Sequence, residues 1–103
     1  MRRRSNPRAN LSSGYGERRD DFPVSELDLH ARTVEEAVPM VGEFLRDACS
    51  RGWRKVRIIH GKGTGTLRLE VDRYLSRSSL VARYYPADRF HGGSGATDVE
   101  LQG

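Results

Sequence analysis

Six consecutive residues, His60-Gly61-Lys62-Gly63-Thr64-Gly65, bring together an imidazole, an ammonium group and three glycines. Glycines let backbone N–H groups come close to a ligand, and Lys62 adds a positive point charge. A helical pattern starts directly after the loop, so a helix amino end faces the same place. Such a loop suits a phosphate ester. It is not a nucleoside-triphosphate loop, because the G-x-x-x-x-G-K-[ST] spacing is missing and Lys62 is followed by Gly63. The alternative is a tight strand-to-helix turn whose glycines serve backbone geometry alone.

Two histidines fit proton chemistry beside that loop. His60 ends one apolar segment and His30 ends another. An imidazole titrates near neutral pH, and two on one rim can divide proton removal and proton donation in phosphodiester cleavage. They can equally stack on bases, hold phosphate or cap a sheet edge. Asp28 lies two residues before His30, so strand alternation turns both side chains to one face, where Asp28 can orient an imidazole or hold a divalent cation. The expected catalytic set is therefore His60, His30, Asp28 and Lys62. Gly61, Lys62, Gly63, Thr64, Gly65, Arg32, Gly92 and Gly93 are expected to meet nucleic acid. No metal site is expected. A single carboxylate is poor support for one, so no cofactor is evident, and Mg or Mn stays an open option. Asp98 and Glu100 share a strand face and read as solvated carboxylates. Gly92-Gly93-Ser94-Gly95 is either a second close-approach loop or a mobile connection.

The elements that must hold these groups can be read from periodicity. Glu26-Leu27-Asp28-Leu29-His30 alternates polar and apolar, the mark of a half-buried strand. Thr33-Val34-Glu35-Glu36 fits a capping box, and Val34, Ala37, Val38, Val41, Leu45, Ala48 and Cys49 recur at helical spacing, predicting a helix to about Ser50, ended by Gly52. Pro39 falls past the first turn and predicts a kink. Lys55–His60 is a β-branched strand running into the glycine loop. Leu67, Val71, Tyr74 and Leu75 mark a second helix. Leu80–Tyr85, stopped by Pro86, and Ala96–Leu101 complete the order βαβαββ. A right-handed crossover between two parallel strands would put His30 and His60 on one sheet edge. Trp53, Tyr84 and Tyr85 flank strands and read as core rather than as base-stacking platforms.

The whole chain sets limits on partners. Its 103 residues allow one compact domain. Residues 1–25 read as a disordered basic arm and 26–103 as the folded domain, since Met1–Arg19 holds six arginines against one acid and almost nothing apolar. That arm is a solubilising tail or a salt-sensitive tether to phosphates. Net charge is +4, and Lys55 and Lys62 are the only lysines among 18 basic residues. Arginine suits bidentate phosphate contacts, which favours an anionic polymer as partner. One cysteine, Cys49, permits neither an intrachain disulfide nor a cysteine-based metal site. No apolar run approaches the ~18 residues of a membrane span, so no membrane partner is expected, and the expected compartment is the cytoplasm.

Taken together, Leu27-Asp28-Leu29-His30, His60-Gly61-Lys62-Gly63-Thr64-Gly65 and the closing Gly92–Leu101 segment resemble the LDLHG, HGKGxG and final glycine-rich strand of the Smr (small MutS-related) domain. The three motifs occur in the family's order across residues 26–101. The resemblance implies an α/β, two-layer α+β sandwich with a four-stranded mixed sheet and two helices, similar to the C-terminal domain of bacterial initiation factor three. It implies binding of DNA or RNA, and nicking endonuclease activity of the kind several members show. Family settings are DNA repair and recombination control, or ribosome-associated RNA quality control, with the ribosome a candidate partner and a monomer or weak dimer the expected state. Alternatives are a noncatalytic nucleic-acid or ribosome-binding module, and a structural adaptor. The chain departs from the family at Ala31, where the motif carries glycine, which puts catalysis in doubt.

Overall fold

The computed structural model describes residues 23–88 and 93–102. The basic arm lies outside the described residues but for its last three positions, and His91 and Gly92 also lie outside them.

Strand β1, Ser25–Asp28, pairs in parallel with β2, Lys55–Ile59. β2 pairs antiparallel with β4, Ala96–Leu101, which pairs antiparallel with β3, Val81–Pro86. The sheet order is thus β1-β2-β4-β3, four strands of mixed direction. Helices α1, Val34–Ser50, and α2, Thr66–Arg77, follow β1 and β2, so both begin at the edge where the parallel strands end. The expected order βαβαββ and the α+β sandwich are what the structure shows.

Local chemistry accounts for the boundaries. The Thr33 hydroxyl accepts from the Glu36 N–H at 3.2 Å, and Glu36 Oε1 accepts from the Thr33 N–H at 3.0 Å, which closes the expected capping box of α1. The helix spans Pro39 and runs to Ser50. Pro39 and Glu35 are both exposed, so the Glu35 carbonyl that loses its N–H partner faces water. Pro86, expected to stop β3, is instead its last residue. β3 is an edge strand, where a missing N–H breaks no ladder, and the Ala87 N–H then donates to the Ala96 carbonyl at 3.0 Å. β1 ends at Asp28, short of His30.

The core lies between the helices and one face of the sheet. Val41 and Leu45 of α1, Val71 of α2, and Val56, Ile58 and Val99 of the central strands are fully buried. Burying each such side chain contributes about 1.5–3 kcal/mol. At Gly42 the Tyr74 side chain of α2 reaches α1, where an added Cβ would stand 2.7 Å from its hydroxyl, so a larger residue there would displace the Tyr74 ring.

The opposite face carries charge. Arg57 Nε donates to Asp98 Oδ1 at 2.6 Å and Nη2 to Oδ2 at 3.1 Å, with both residues buried. Lys55 Nζ lies 3.8 Å from Asp98 Oδ2. Arg83 and the Tyr85 hydroxyl both donate to Glu100, each at 2.6 Å in its shorter contact. Asp98 and Glu100, expected as solvated carboxylates, are thus paired. Trp53 and Tyr84 pack against the core as expected, Trp53 with the Arg51 guanidinium 5.3 Å from its ring centre.

Candidate functional site

A cleft of about 300 Å³ opens at the edge where both helices begin, lined by Arg32, Thr33 and Val34 on one side and by His60 through Arg68 on the other. None of these lining residues is acidic. Arg68 Nε stands 3.8 Å from Asp72 of its own helix, whereas Arg32 and Lys62 pair with no carboxylate among the described residues. Two unneutralised cations therefore face one cleft.

The loop is built by backbone that only glycine adopts readily. Gly61, Gly63 and Gly65 hold φ of 77°, 25° and 88°. Gly65 is the N-cap of α2, so no side chain caps this helix from the N-cap position, and its first turn holds no acid. Thr64 Oγ1 accepts from the Thr66 N–H at 3.3 Å, and the first full helical bond runs from Leu69 N–H to the Gly65 carbonyl at 2.9 Å. The Leu67 and Arg68 N–H groups are left without an acceptor inside the helix. Helix α1 differs, because Thr33 satisfies the Glu36 amide, and Glu35 and Glu36 put negative charge on its first turn. Two helix amino ends meet the cleft, and only that of α2 is left open to an outside anion.

Two loop amides are not available. The Gly95 carbonyl accepts from both the His60 N–H at 3.0 Å and the Gly61 N–H at 2.9 Å. Gly95 closes the short 3₁₀ turn Gly93–Gly95 that leads into β4. The expectation of a second close-approach loop at Gly92–Gly95 therefore meets a different arrangement at Gly95, which anchors the first loop. Gly93 does not line the cleft, and Gly92 lies outside the described residues.

His60 lines the cleft but is only 6% exposed, with both ring nitrogens engaged. Nδ1 lies 3.1 Å from the Gly61 carbonyl oxygen and Nε2 lies 2.8 Å from Thr97 Oγ1. His30 is exposed and does not line the cleft. The register that pairs Asp28 with Ile59 continues to put fully buried Leu29 beside His60, and His30 lies in the turn beyond β1. Both histidines lie at one edge of the sheet, His60 buried in the cleft wall and His30 exposed outside it. Asp28 is also away from the cleft, and its Oδ1 accepts from the His30 backbone N–H at 2.8 Å rather than from an imidazole. Among the described residues no group of three or more His, Cys, Asp or Glu could hold a metal ion.

The expected loop residues and Arg32 are thus brought together, whereas Asp28 and His30 are placed apart from them. Sequence reasoning missed Thr97 and Arg68, and took Gly95 only as part of the Gly92–Gly95 loop. Gly95 and Thr97 sit in the third motif, but their link to the loop crosses more than 30 residues of chain and has no local signal.

The Smr domain family model matches residues 27–102. The chain is 39% identical over 83 residues to the endonuclease MutS2 of Geobacillus sp. WCH70 and 45% identical over 83 residues to that of Bacillus mycoides KBAB4, in each case over 80% of this chain. It spans 11% of the length of these curated relatives. Among solved structures, the Smr domain of Thermus thermophilus MutS2 superposes with a TM-score of 0.77 at 39% identity, covering 78% of this chain and all of that domain. YdaL of Escherichia coli, a stand-alone small MutS-related protein, gives a TM-score of 0.72 at 39% identity over 76% of this chain and 64% of its own. Among the described residues no helix is long and apolar enough to cross a membrane.

Proposed function

The chain belongs to the Smr domain family, and from that premise we propose that it grips the phosphate backbone of DNA or RNA in the cleft and nicks it. One observation supports this most. Arg32, Lys62 and the open amino end of α2 converge on a cleft lined by no acid. Each is a donor or a positive charge, and an ester phosphate is the anion that such a site takes.

In cleavage, negative charge builds on the non-bridging oxygens of the pentacoordinate phosphorus. Lys62 and the Leu67 and Arg68 amides stabilise that charge, a type of contribution that is often the largest catalytic term. Proton transfer is assigned to His60. His30 and Asp28 act from the outer side of the strand, on flanking nucleotides rather than at the reacting phosphate.

A noncatalytic grip on nucleic acid is the second reading, favoured by the inward engagement of both His60 ring nitrogens. Incubating the protein with supercoiled plasmid and with structured RNA, with and without chelator, separates the two. Nicking that disappears in Lys62→Ala is expected. Binding without cleavage of either polymer would leave the grip alone standing, and cleavage unchanged in both Lys62→Ala and His60→Ala would remove the assigned site.

A further inference from the structure

We infer that Thr97 is a positioning residue of the cleft, whose buried hydroxyl holds the His60 imidazole inward so that the ring fastens the root of the Lys62-bearing loop to β4. The inference rests on the cleft being the nucleic-acid site. The contacts of the ring assign its hydrogens. A carbonyl oxygen only accepts, so the contact at 3.1 Å to the Gly61 oxygen requires the proton on Nδ1. In the neutral ring Nε2 then carries a lone pair, and the Thr97 hydroxyl at 2.8 Å must donate to it. Thr97 is 2% exposed, so water cannot replace that donor without opening the sheet edge.

Two layers of contact result at one point. The ring ties Gly61 to Thr97, and the Gly95 carbonyl, two residues before Thr97, holds the His60 and Gly61 amides at 3.0 and 2.9 Å. The residue after this clamp is Lys62. Without that hydroxyl a buried lone pair is left unpartnered, and the ring gains a reason to swing toward the cleft.

Nitrogen-15 spectra of the His60 ring, amide hydrogen exchange at His60 and Gly61, and affinity for a fluorescent oligonucleotide would be compared for wild type, Thr97→Val and Thr97→Ser. The expected result is Nδ1 protonated and Nε2 unprotonated in the neutral wild-type ring. In Thr97→Val, exchange at both amides should rise and affinity should fall roughly tenfold, the scale of one lost buried bond. Thr97→Ser, which keeps the hydroxyl, should stay close to wild type. An Nε2-protonated wild-type ring overturns the inference even if Thr97→Val fails to fold. So does a folded Thr97→Val with exchange and affinity within twofold of wild type. If the protein binds no oligonucleotide, the functional reading fails, while the ring spectra and exchange rates still judge Thr97.

Discussion

The stem of Lys62 lies against Gly95, where an added Cβ would stand 3.3 Å from Lys62 Cγ and 3.5 Å from the Gly61 carbonyl carbon. Gly95 does not hold a left-handed φ, so alanine costs nothing in backbone conformation there and acts through this contact alone. Gly95→Ala should move the Lys62 ammonium within the cleft and weaken oligonucleotide binding about fivefold, with little change in melting temperature. Fluorescence anisotropy beside thermal unfolding checks this. An affinity equal to wild type would mean that the stem relocates freely.

Salt dependence distinguishes phosphate contacts from others. Each phosphate neutralised on duplex DNA contributes about 0.9 to the slope of log affinity against log salt. Lys62→Ala and Arg32→Ala should each flatten that slope by about one unit, and the double variant by about two. Arg46→Ala, on the exposed side of α1, should leave it unchanged.

Ala31 holds a φ of 64°, the left-handed region that costs an alanine about 1–2 kcal/mol. It stands where the family motif has glycine. Ala31→Gly should therefore stabilise the domain, by up to about 1 kcal/mol after the greater freedom of unfolded glycine is counted, which raises the melting temperature by about 4–8 °C. A lowered melting temperature would show that neighbouring contacts, not strain, govern this turn.

The buried Arg57–Asp98 pair makes a stability test far from the cleft. Removing one partner of a buried pair strands the other charge, at a cost of about 3 kcal/mol. Asp98→Ala should show that loss in urea unfolding, whereas exposed Asp47→Ala, which breaks an i,i+4 pair with Arg51, should cost under about 0.5 kcal/mol.

The acid limb should reflect Glu100. Bonds from the Tyr85 hydroxyl and then from Arg83 hold its carboxyl below the usual 4.5. A depressed carboxylate stabilises the fold above its unfolded pKa and loses that contribution as pH falls through the folded value. Wild type should therefore lose stability below about pH 4.5. Tyr85→Phe removes the larger cause, so its melting temperature should fall less steeply over the same range. Parallel acid limbs would exclude this pairing as the origin.

Much of this was legible in the chain. Thr33 and Glu36 announce a helix start because capping acts over three residues, and His60–Gly65 announces a sharp turn because its glycines take conformations other residues avoid. What stayed hidden depends on register. A shift of one residue between β1 and β2 exchanges the two faces of a strand, and nothing local fixes that shift. His30 and His60 were therefore expected as partners, although only His60 lines the cleft. The Gly95 and Thr97 links to the loop depend on the β2–β4 pairing in the same way.

The unequal starts of α1 and α2 have a directional consequence. One is neutralised from within by Thr33, Glu35 and Glu36, and the other keeps its partial positive charge for whatever docks. A nucleic-acid strand lying across the rim thus meets a gradient of potential from one side to the other. Its sugar–phosphate chain has a 5′ and a 3′ sense, so under the proposed docking the two ways of laying it down would not be equivalent.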